Sequence, residues 1–254
     1  SLLLLLVVTL VNAQSKEGLQ TINGAKLFVK EDGKGEVLLV IHGGPGLNHT
    51  YFLPHLDPLA KKFKVVYYDQ RACGQSAIPS ADSISMDFFV DDIEGIRKSL
   101  GIEKINLLAH SWGAIIAVNY GLRYPQRVRK MILSNSVYLR NQPSFEMAAK
   151  KIDKQDSIDR ANILASEEFK NRDVSAYEKL IKIKFRSTFF DTGKADNLNI
   201  KLPLNIEKGS QALGLGLKED LSSYDYYESL KEFNFPVLIL GGCSDDNTIE
   251  ILEE

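Results

Sequence analysis

The residue best suited to nucleophilic chemistry is Ser111, which lies where a short apolar run gives way to a helical pattern. A serine hydroxyl is a poor nucleophile unless a base accepts its proton and fixed dipoles stabilise the oxyanion that forms. A sharp strand-to-helix turn exposes the hydroxyl and points backbone N–H groups at that oxyanion. Such a turn is crowded, and the small residues Ala109 and Gly113 stand two positions before and after the serine. The stretch therefore predicts a nucleophile turn; the alternative is an ordinary strand-to-helix connection.

A second stretch, residues 42–46, supplies a glycine-rich turn of the kind an oxyanion site needs. It directly follows the apolar run 37–41, which is typical of a strand buried on both faces. Glycines let the backbone adopt positive φ and pass close to a substrate. We expect the N–H of Gly44 and the N–H of Trp112, which follows the nucleophile, to bind the oxyanion together. A simple Gly-Pro turn is the alternative.

A late carboxylate completes the candidate chemistry. Residues 236–240 form another apolar run, and Asp245 and Asp246 follow it closely. A carboxylate at the end of a late strand can orient a catalytic histidine. Asp245 is assigned this role, with Asp246 as the second choice and a plain turn as the alternative.

The order of residues in the chain does not identify the histidine that would accept the serine proton. The four histidines are His42, His49, His55 and His110. None follows Asp245, although the order Ser, Asp, His requires one. His110 should point away from Ser111 because neighbouring strand residues face opposite sides of a sheet. His42 is expected to be structural, and nothing in the spacing of His49 or His55 marks either as the base.

The elements that position these residues alternate between strands and helices up to about residue 137. This alternation predicts a parallel α/β sheet, preceded by an edge hairpin at Asn23-Gly24. Residues 69–76 are expected to form structural ion pairs and a turn. About a hundred mostly polar, helical residues then follow, too many for one crossover between strands. The prediction is a core of residues 14–137 and 234–254 with a helical cap of residues 138–233.

Three glycines of the predicted cap, Gly209, Gly214 and Gly216, follow no strand. They are expected to be flexible or loop glycines rather than a dinucleotide-binding fingerprint.

The composition and the first residues of the chain limit the partners of the protein and its cellular compartment. The 254 residues are 44% apolar with a net charge of −2, which argues against a nucleic-acid partner and a basic membrane-binding face. Cys73 and Cys243 match no zinc spacing and are expected to be unpaired thiols.

Residues 2–11 are apolar but too few to span a membrane, and with Ala13 they resemble a secretory signal peptide in residues 1–13. Export after cleavage near Ala13 is expected, with a buried first strand as the alternative. No pattern indicates the oligomeric state.

Together, residues 42–46, 69–76 and 110–113 resemble the α/β-hydrolase fold and, within it, the proline iminopeptidase family of serine aminopeptidases. The resemblance implies a mostly parallel sheet flanked by helices, with an inserted helical cap. It implies Ser111 as nucleophile, Gly44 and Trp112 as oxyanion donors, and Asp245 as the orienting acid. It implies no metal and no organic cofactor. The substrate would be a small peptide, whose N-terminal residue is released through an acyl-enzyme.

The resemblance leaves the substrate open. Acidic cap residues bind the free amine of the peptide in the family, and the candidates here are Glu167, Glu168, Glu178, Glu207 and Glu228. Three alanines stand where the family pattern has glycine: Ala72, Ala109 and Ala114. Two other functions remain: hydrolysis of an ester or lactone by the same serine, and a non-catalytic binding protein on the same fold.

The missing histidine also carries an expectation about the chain itself. Its absence predicts that the last part of the core belongs to a longer gene product. That product would carry the histidine base roughly 20 to 40 residues beyond Asp245. The chain as it stands is then expected to bind substrate but to turn over little, because triad residues act as a unit.

Overall fold

A computed structural model describes residues 15–137, 139–140 and 153–242 of the chain, and a single sheet lies at its centre. The strands are β1 (Lys16–Ile22), β2 (Ala25–Gly33), β3 (Glu36–Ile41), β4 (Phe63–Tyr68), β5 (Ile105–His110), β6 (Val128–Ser134) and β7 (Val237–Leu240). Their order is β1-β2-β4-β3-β5-β6-β7. The β1–β2 and β2–β4 pairs are antiparallel and the other four are parallel. The predicted mostly parallel sheet is confirmed.

Helices pack on both faces of this sheet. They are α1 (Met86–Ser99), α2 (Gly113–Arg123), α3 (Lys154–Ala165), α4 (Glu167–Lys170), α5 (Val174–Arg186), α6 (Ile206–Gly216) and α7 (Tyr227–Leu230). Helices α1 and α2 pack on each other, and α2 also packs on β5 and β6. Helices α3 to α7 lie between β6 and β7 in the chain. The exact division into core and cap stays a prediction.

Local sequence explains the elements next to the site. The β1–β2 hairpin turns at Asn23 and Gly24, whose φ angles of 47° and 75° are those that a type I′ turn requires. In β3, alternate residues serve two apolar clusters: Leu39 and Ile41 join the larger, on the side of α1 and α2, and Val40 joins the smaller on the opposite side. Both faces of β3 are thus buried, which is why its sequence is continuously apolar.

The expectation that the three cap glycines are flexible or loop residues is wrong. Gly209, Gly214 and Gly216 all lie within α6. A Cβ on Gly209 would lie 2.5 Å from the backbone O of Ala72, and one on Gly216 would lie 2.5 Å from Cβ of Ile84. Glycine at these two positions therefore allows α6 to approach the core closely.

Several sequence predictions fall on residues outside the described ranges. These are the signal peptide of residues 1–13, Cys243, and the carboxylates Asp245 and Asp246. Within residues 15–137, 139–140 and 153–242, none of the helices has the length and apolar character needed to cross a membrane.

Candidate active site

Ser111 lies in a strained turn between β5 and α2. Its φ is +53°, in the left-handed region, where a non-glycine residue costs of order 1–3 kcal/mol. Two backbone hydrogen bonds hold the turn: the N–H of Ser111 donates to O of Ser134 at 3.1 Å, and the N–H of Ala114 donates to O of Ser111 at 3.0 Å. The Ser111 side chain is half-buried, and its hydroxyl makes no hydrogen bond with the described part of the chain. The hydroxyl is therefore available to a substrate.

The glycine two positions after Ser111 permits a close approach between α2 and β3. A Cβ on Gly113 would lie 2.6 Å from O of Ile41 and 2.7 Å from O of His42. Both are backbone atoms, so neither can move aside without distorting the sheet. Ala109, two positions before Ser111, is fully buried in β5. The structure accommodates its methyl group where the family pattern has glycine.

The turn after β3 packs against the turn that carries Ser111. Gly44 has a φ of +134°, a conformation that is accessible in practice only to glycine. Among the described residues, the N–H groups of Gly44 and Trp112 have no hydrogen-bond acceptor. Gly43 lies against the nucleophile, since a Cβ there would be 3.0 Å from Cβ of Ser111. The assignment of Gly44 and Trp112 as oxyanion donors stays a prediction that this geometry permits.

His42 fixes the backbone of this turn from inside the core. Its Nε2 accepts the N–H of Gln70 at 3.0 Å, so the ring proton is on Nδ1, which donates to O of Gly43 at 2.7 Å. Burial lowers the pKa of His42 to about 4, which keeps the ring neutral near pH 7. His42 therefore has the structural role that its place in the turn suggested.

Gln70 connects the two turns, and sequence reasoning missed it. Its Nε2 donates to O of His42 at 2.6 Å, and its Oε1 accepts the Nε1–H of Trp112 at 3.1 Å. The available signal was its place directly after β4, at the carboxyl ends of the parallel strands where the turns meet.

The buried neutral ring of His42 predicts a loss of stability in acid. Between its ordinary value of 6.5 and the folded pKa of about 4, the unfolded chain binds more protons than the folded chain. The free energy of unfolding should therefore decrease as the pH falls through this interval. The contribution is about 3 kcal/mol, because each pKa unit corresponds to about 1.4 kcal/mol. Urea unfolding at about pH 7.5 and about pH 4 measures it.

Two variants test this assignment. His42→Gln should lose less stability than the wild type over the same interval, by up to about 3 kcal/mol. His55→Gln, which replaces an exposed histidine, should keep the pH dependence of the wild type. Equal losses in the wild type and His42→Gln would show that His42 does not fold as a buried neutral ring.

Asp69 and His49 form a second buried group in these turns. Oδ1 of Asp69 accepts the backbone N–H of His49 at 3.0 Å and its Nδ1–H at 2.7 Å, and Oδ2 accepts the N–H of Gln75 at 2.8 Å. Burial acts to raise the pKa of Asp69, but the hydrogen bonds from His49 and Gln75 outweigh it and hold the pKa below its usual value. This arrangement agrees with the structural role expected for residues 69–76, and it commits His49 to Asp69.

None of the four histidines contacts the hydroxyl of Ser111. His110 packs on Tyr51 and Phe52, with its Nδ1 2.8 Å from Oη of Tyr51. His55 is exposed. The proposed orienting acid Asp245 lies outside the described residues, so its position relative to Ser111 stays a prediction. The described part of the chain supplies no histidine base to Ser111.

A cavity of about 190 Å³ lies between the glycine turn and α6. It is lined by Pro45, Ser210, Leu213, Gly214, Leu217, Lys218 and Leu221. Most of these side chains are apolar, and Lys218 is the charged member. Because Pro45 directly follows Gly44, the cavity adjoins the glycine turn.

The five cap glutamates considered for amine binding do not line this cavity. Glu207 pairs with Arg172 at 2.9 Å, and Glu178 accepts the backbone N–H of Leu202 at 2.9 Å. Glu167 and Glu228 each pair with a lysine three residues further along the chain. The structure therefore places four of the five carboxylates in contacts with other residues of 153–242: Glu167, Glu178, Glu207 and Glu228.

The close approach of α6 to the core predicts opposite effects for two glycine substitutions. Gly209→Ala should destabilise the fold by about 1–3 kcal/mol, because the added Cβ would meet the backbone O of Ala72. Gly214→Ala is the matched control on the same helix: no atom lies within 4 Å of its added Cβ, so helix propensity should stabilise it by about 1 kcal/mol. Chemical denaturation measures both. Equal stabilisation by the two substitutions would contradict the packing of α6 on Ala72.

A sheet in this order with a serine at the carboxyl end of β5 is the arrangement of α/β hydrolases. The family model described as alpha/beta hydrolase fold matches residues 36–251, so the chain belongs to that family. Proline iminopeptidase of Lactobacillus delbrueckii subsp. lactis is 32% identical over 225 residues, covering 82% of this chain and 74% of the relative. Proline iminopeptidase of Heyndrickxia coagulans is 31% identical over 252 residues, covering 93% and 85%. Within the family, the chain is thus close to proline iminopeptidases.

Solved structures support the fold alone. A thermophilic esterase from Thermogutta terrifontis superimposes with a TM-score of 0.63 at 22% identity, covering 94% of this chain and 85% of the esterase. Because one fold serves many reactions, this likeness does not select the substrate.

Proposed function

We propose that this protein is a serine hydrolase that releases N-terminal residues, proline foremost, from small peptides through an acyl-enzyme on Ser111. The observation that carries the proposal is the strained turn at Ser111. Its half-buried hydroxyl makes no hydrogen bond to the described chain, and the glycine turn packs against it, since a Cβ on Gly43 would be 3.0 Å from Cβ of Ser111. The identity of about 32% to a proline iminopeptidase supports the choice of substrate.

In the proposed reaction, Oγ of Ser111 attacks the carbonyl carbon of the first peptide bond and its proton passes to a general base. The carbonyl oxygen becomes an oxyanion, which accepts hydrogen bonds from the N–H groups of Gly44 and Trp112. The C–N bond then breaks, and the remaining peptide leaves as an amine that takes up the proton. Water hydrolyses the acyl-enzyme by the same route. Asp245 is proposed to orient the base.

The test compares substrates that differ in one feature each. Proline β-naphthylamide carries the free amine, N-acetylproline β-naphthylamide lacks it, and a short nitrophenyl ester replaces the amide. The assay uses the purified wild-type protein. We expect kcat/KM for the free amine to exceed that of the acetylated compound by about 100-fold or more, because a site built to bind a polar group rejects analogues without it.

A second function, hydrolysis of an ester or lactone, is favoured by one observation. The cavity beside Pro45 contains Lys218 and no carboxylate among its lining residues, which suits an apolar or anionic acyl group better than a cationic amine. In that case the nitrophenyl ester is the better substrate and acetylation of the proline amine has no effect. A protein that turns over none of these compounds and does not react with a fluorophosphonate is a binding protein on a hydrolase fold.

Export is a separate proposal. The apolar run of residues 2–11 followed by Ala13 supports cleavage of a signal peptide near Ala13. N-terminal sequencing of protein recovered from outside the cytoplasm tests it, and a mature protein that still begins at Ser1 would overturn it.

A further inference from the structure

The hydroxyl of Tyr51 lies between the glycine turn and the strand that carries the nucleophile. The N–H of Gly43 donates to Oη of Tyr51 at 2.6 Å, and the same Oη lies 2.8 Å from Nδ1 of His110, the residue before Ser111. The Tyr51 ring is buried, and its centroid lies 4.3 Å from that of Phe52 and 5.4 Å from that of His110. One phenol thus contacts both turns of the candidate site.

The direction of these hydrogen bonds follows from the donors present. A backbone N–H can only donate, so Oη of Tyr51 accepts from Gly43. The hydroxyl proton is then available to Nδ1 of His110, which accepts it and carries its own ring proton on Nε2. Burial raises the pKa of Tyr51 well above its ordinary value, so the phenol keeps this proton.

The hydroxyl completes the restraint of two successive peptide units. In the unit between His42 and Gly43, the C=O accepts from Nε2 of Gln70 at 2.6 Å and the N–H donates to Tyr51. In the next unit, the C=O of Gly43 accepts from Nδ1 of His42. A trans peptide is planar with its C=O and N–H pointing in opposite directions. Fixing the C=O of Gly43 therefore fixes the direction of the N–H of Gly44.

We propose that Tyr51 is a positioning residue for the oxyanion site: its hydroxyl bridges Gly43 and His110 and thereby holds the N–H of Gly44 in register with Ser111. The contact between Gly43 and the nucleophile turn supports this coupling, since a Cβ on Gly43 would be 3.0 Å from both Nδ1 of His110 and Cβ of Ser111. The inference rests on the proposed function, because it assigns Tyr51 a part in the reaction of Ser111.

The test is Tyr51→Phe, which removes the hydroxyl and keeps the ring packing. We expect kcat to fall by about 10- to 100-fold with KM changed by less than about threefold, because misplacing an oxyanion donor weakens binding of the transition state but not of the substrate. The rate of fluorophosphonate labelling should fall in parallel. Tyr67→Phe is the matched control, since Tyr67 belongs to the same apolar cluster as Tyr51 and its hydroxyl makes no hydrogen bond to the described chain. It should keep the wild-type kcat.

A second readout does not require activity. In nitrogen-15 NMR of labelled histidine, wild-type His110 should show an Nδ1 that carries no proton and accepts a hydrogen bond. Tyr51→Phe should lose the signal of that hydrogen bond. Exchange of the Gly43 amide proton should accelerate by about tenfold or more in Tyr51→Phe and stay unchanged in Tyr67→Phe.

The outcomes separate the two proposals. A wild type that is active and a Tyr51→Phe variant with unchanged kcat would overturn the positioning role and leave the proposed function intact. A wild type with no turnover and no labelling would overturn the proposed function and, with it, the catalytic role of Tyr51. In either case, an unchanged amide exchange rate of Gly43 in Tyr51→Phe would show that the hydroxyl does not restrain the turn.

Discussion

Ser111→Ala is expected to abolish fluorophosphonate labelling and to lower kcat by about 10⁶-fold, the size of effect seen when a catalytic serine is removed. The reason is chemical, since alanine has no atom that can form the acyl-enzyme, whereas the backbone hydrogen bonds of the turn to Ser134 and Ala114 remain. Mass spectrometry of the labelled protein and steady-state kinetics measure the two effects.

Two further variants make this result specific. Ser134→Ala should still be labelled, because the turn uses the backbone oxygen of Ser134 and not its hydroxyl. Ser111→Gly should also be inactive, but more stable than Ser111→Ala by about 1 kcal/mol, because glycine adopts a φ of +53° without strain. Residual labelling of Ser111→Ala at another serine would show that the nucleophile has been assigned wrongly.

Arg71→Met is expected to lower the free energy of unfolding by about 3–5 kcal/mol, the largest effect on stability that we predict. Arg71 and Asp92 are almost completely buried and form two hydrogen bonds of 2.7 Å each. Arg71 also donates to O of Asn23 at 2.8 Å and so ties the β1–β2 hairpin to α1. Removing the guanidinium leaves the Asp92 carboxylate buried without its partner, which costs more than the pair itself contributes.

A double variant distinguishes charge from packing. Arg71→Met combined with Asp92→Leu should recover much of the lost stability, because no uncompensated charge then remains in the core. Arg129→Met breaks an exposed pair with Glu36 and should cost less than about 1 kcal/mol. A double variant no more stable than Arg71→Met would show that lost packing around the arginine, rather than the unpaired carboxylate, causes the effect.

Much of the site was predictable because it depends on residues close together in the chain. The turn at Ser111 follows from an apolar run, small neighbours and a helical pattern, and the buried strand β3 follows from continuous apolar residues. The roles of Gly209 and Gly216 were missed because they lie in contacts with Ala72 and Ile84, more than a hundred residues earlier in the chain. Local propensity rules count a glycine within a helix as destabilising, and they contain no information about the packing that it permits.

The sequence by itself determined the order of strands and helices, the strained turn at Ser111 and the glycine turn before it, because backbone sterics and the periodicity of apolar residues act over a few positions. Only the tertiary structure decided how the polar groups are paired: His49 with Asp69, Arg71 with Asp92, and Tyr51 with Gly43 and His110. These partners are distant in the chain, and a buried polar group binds whichever complementary group the packing of the whole chain brings within about 3 Å.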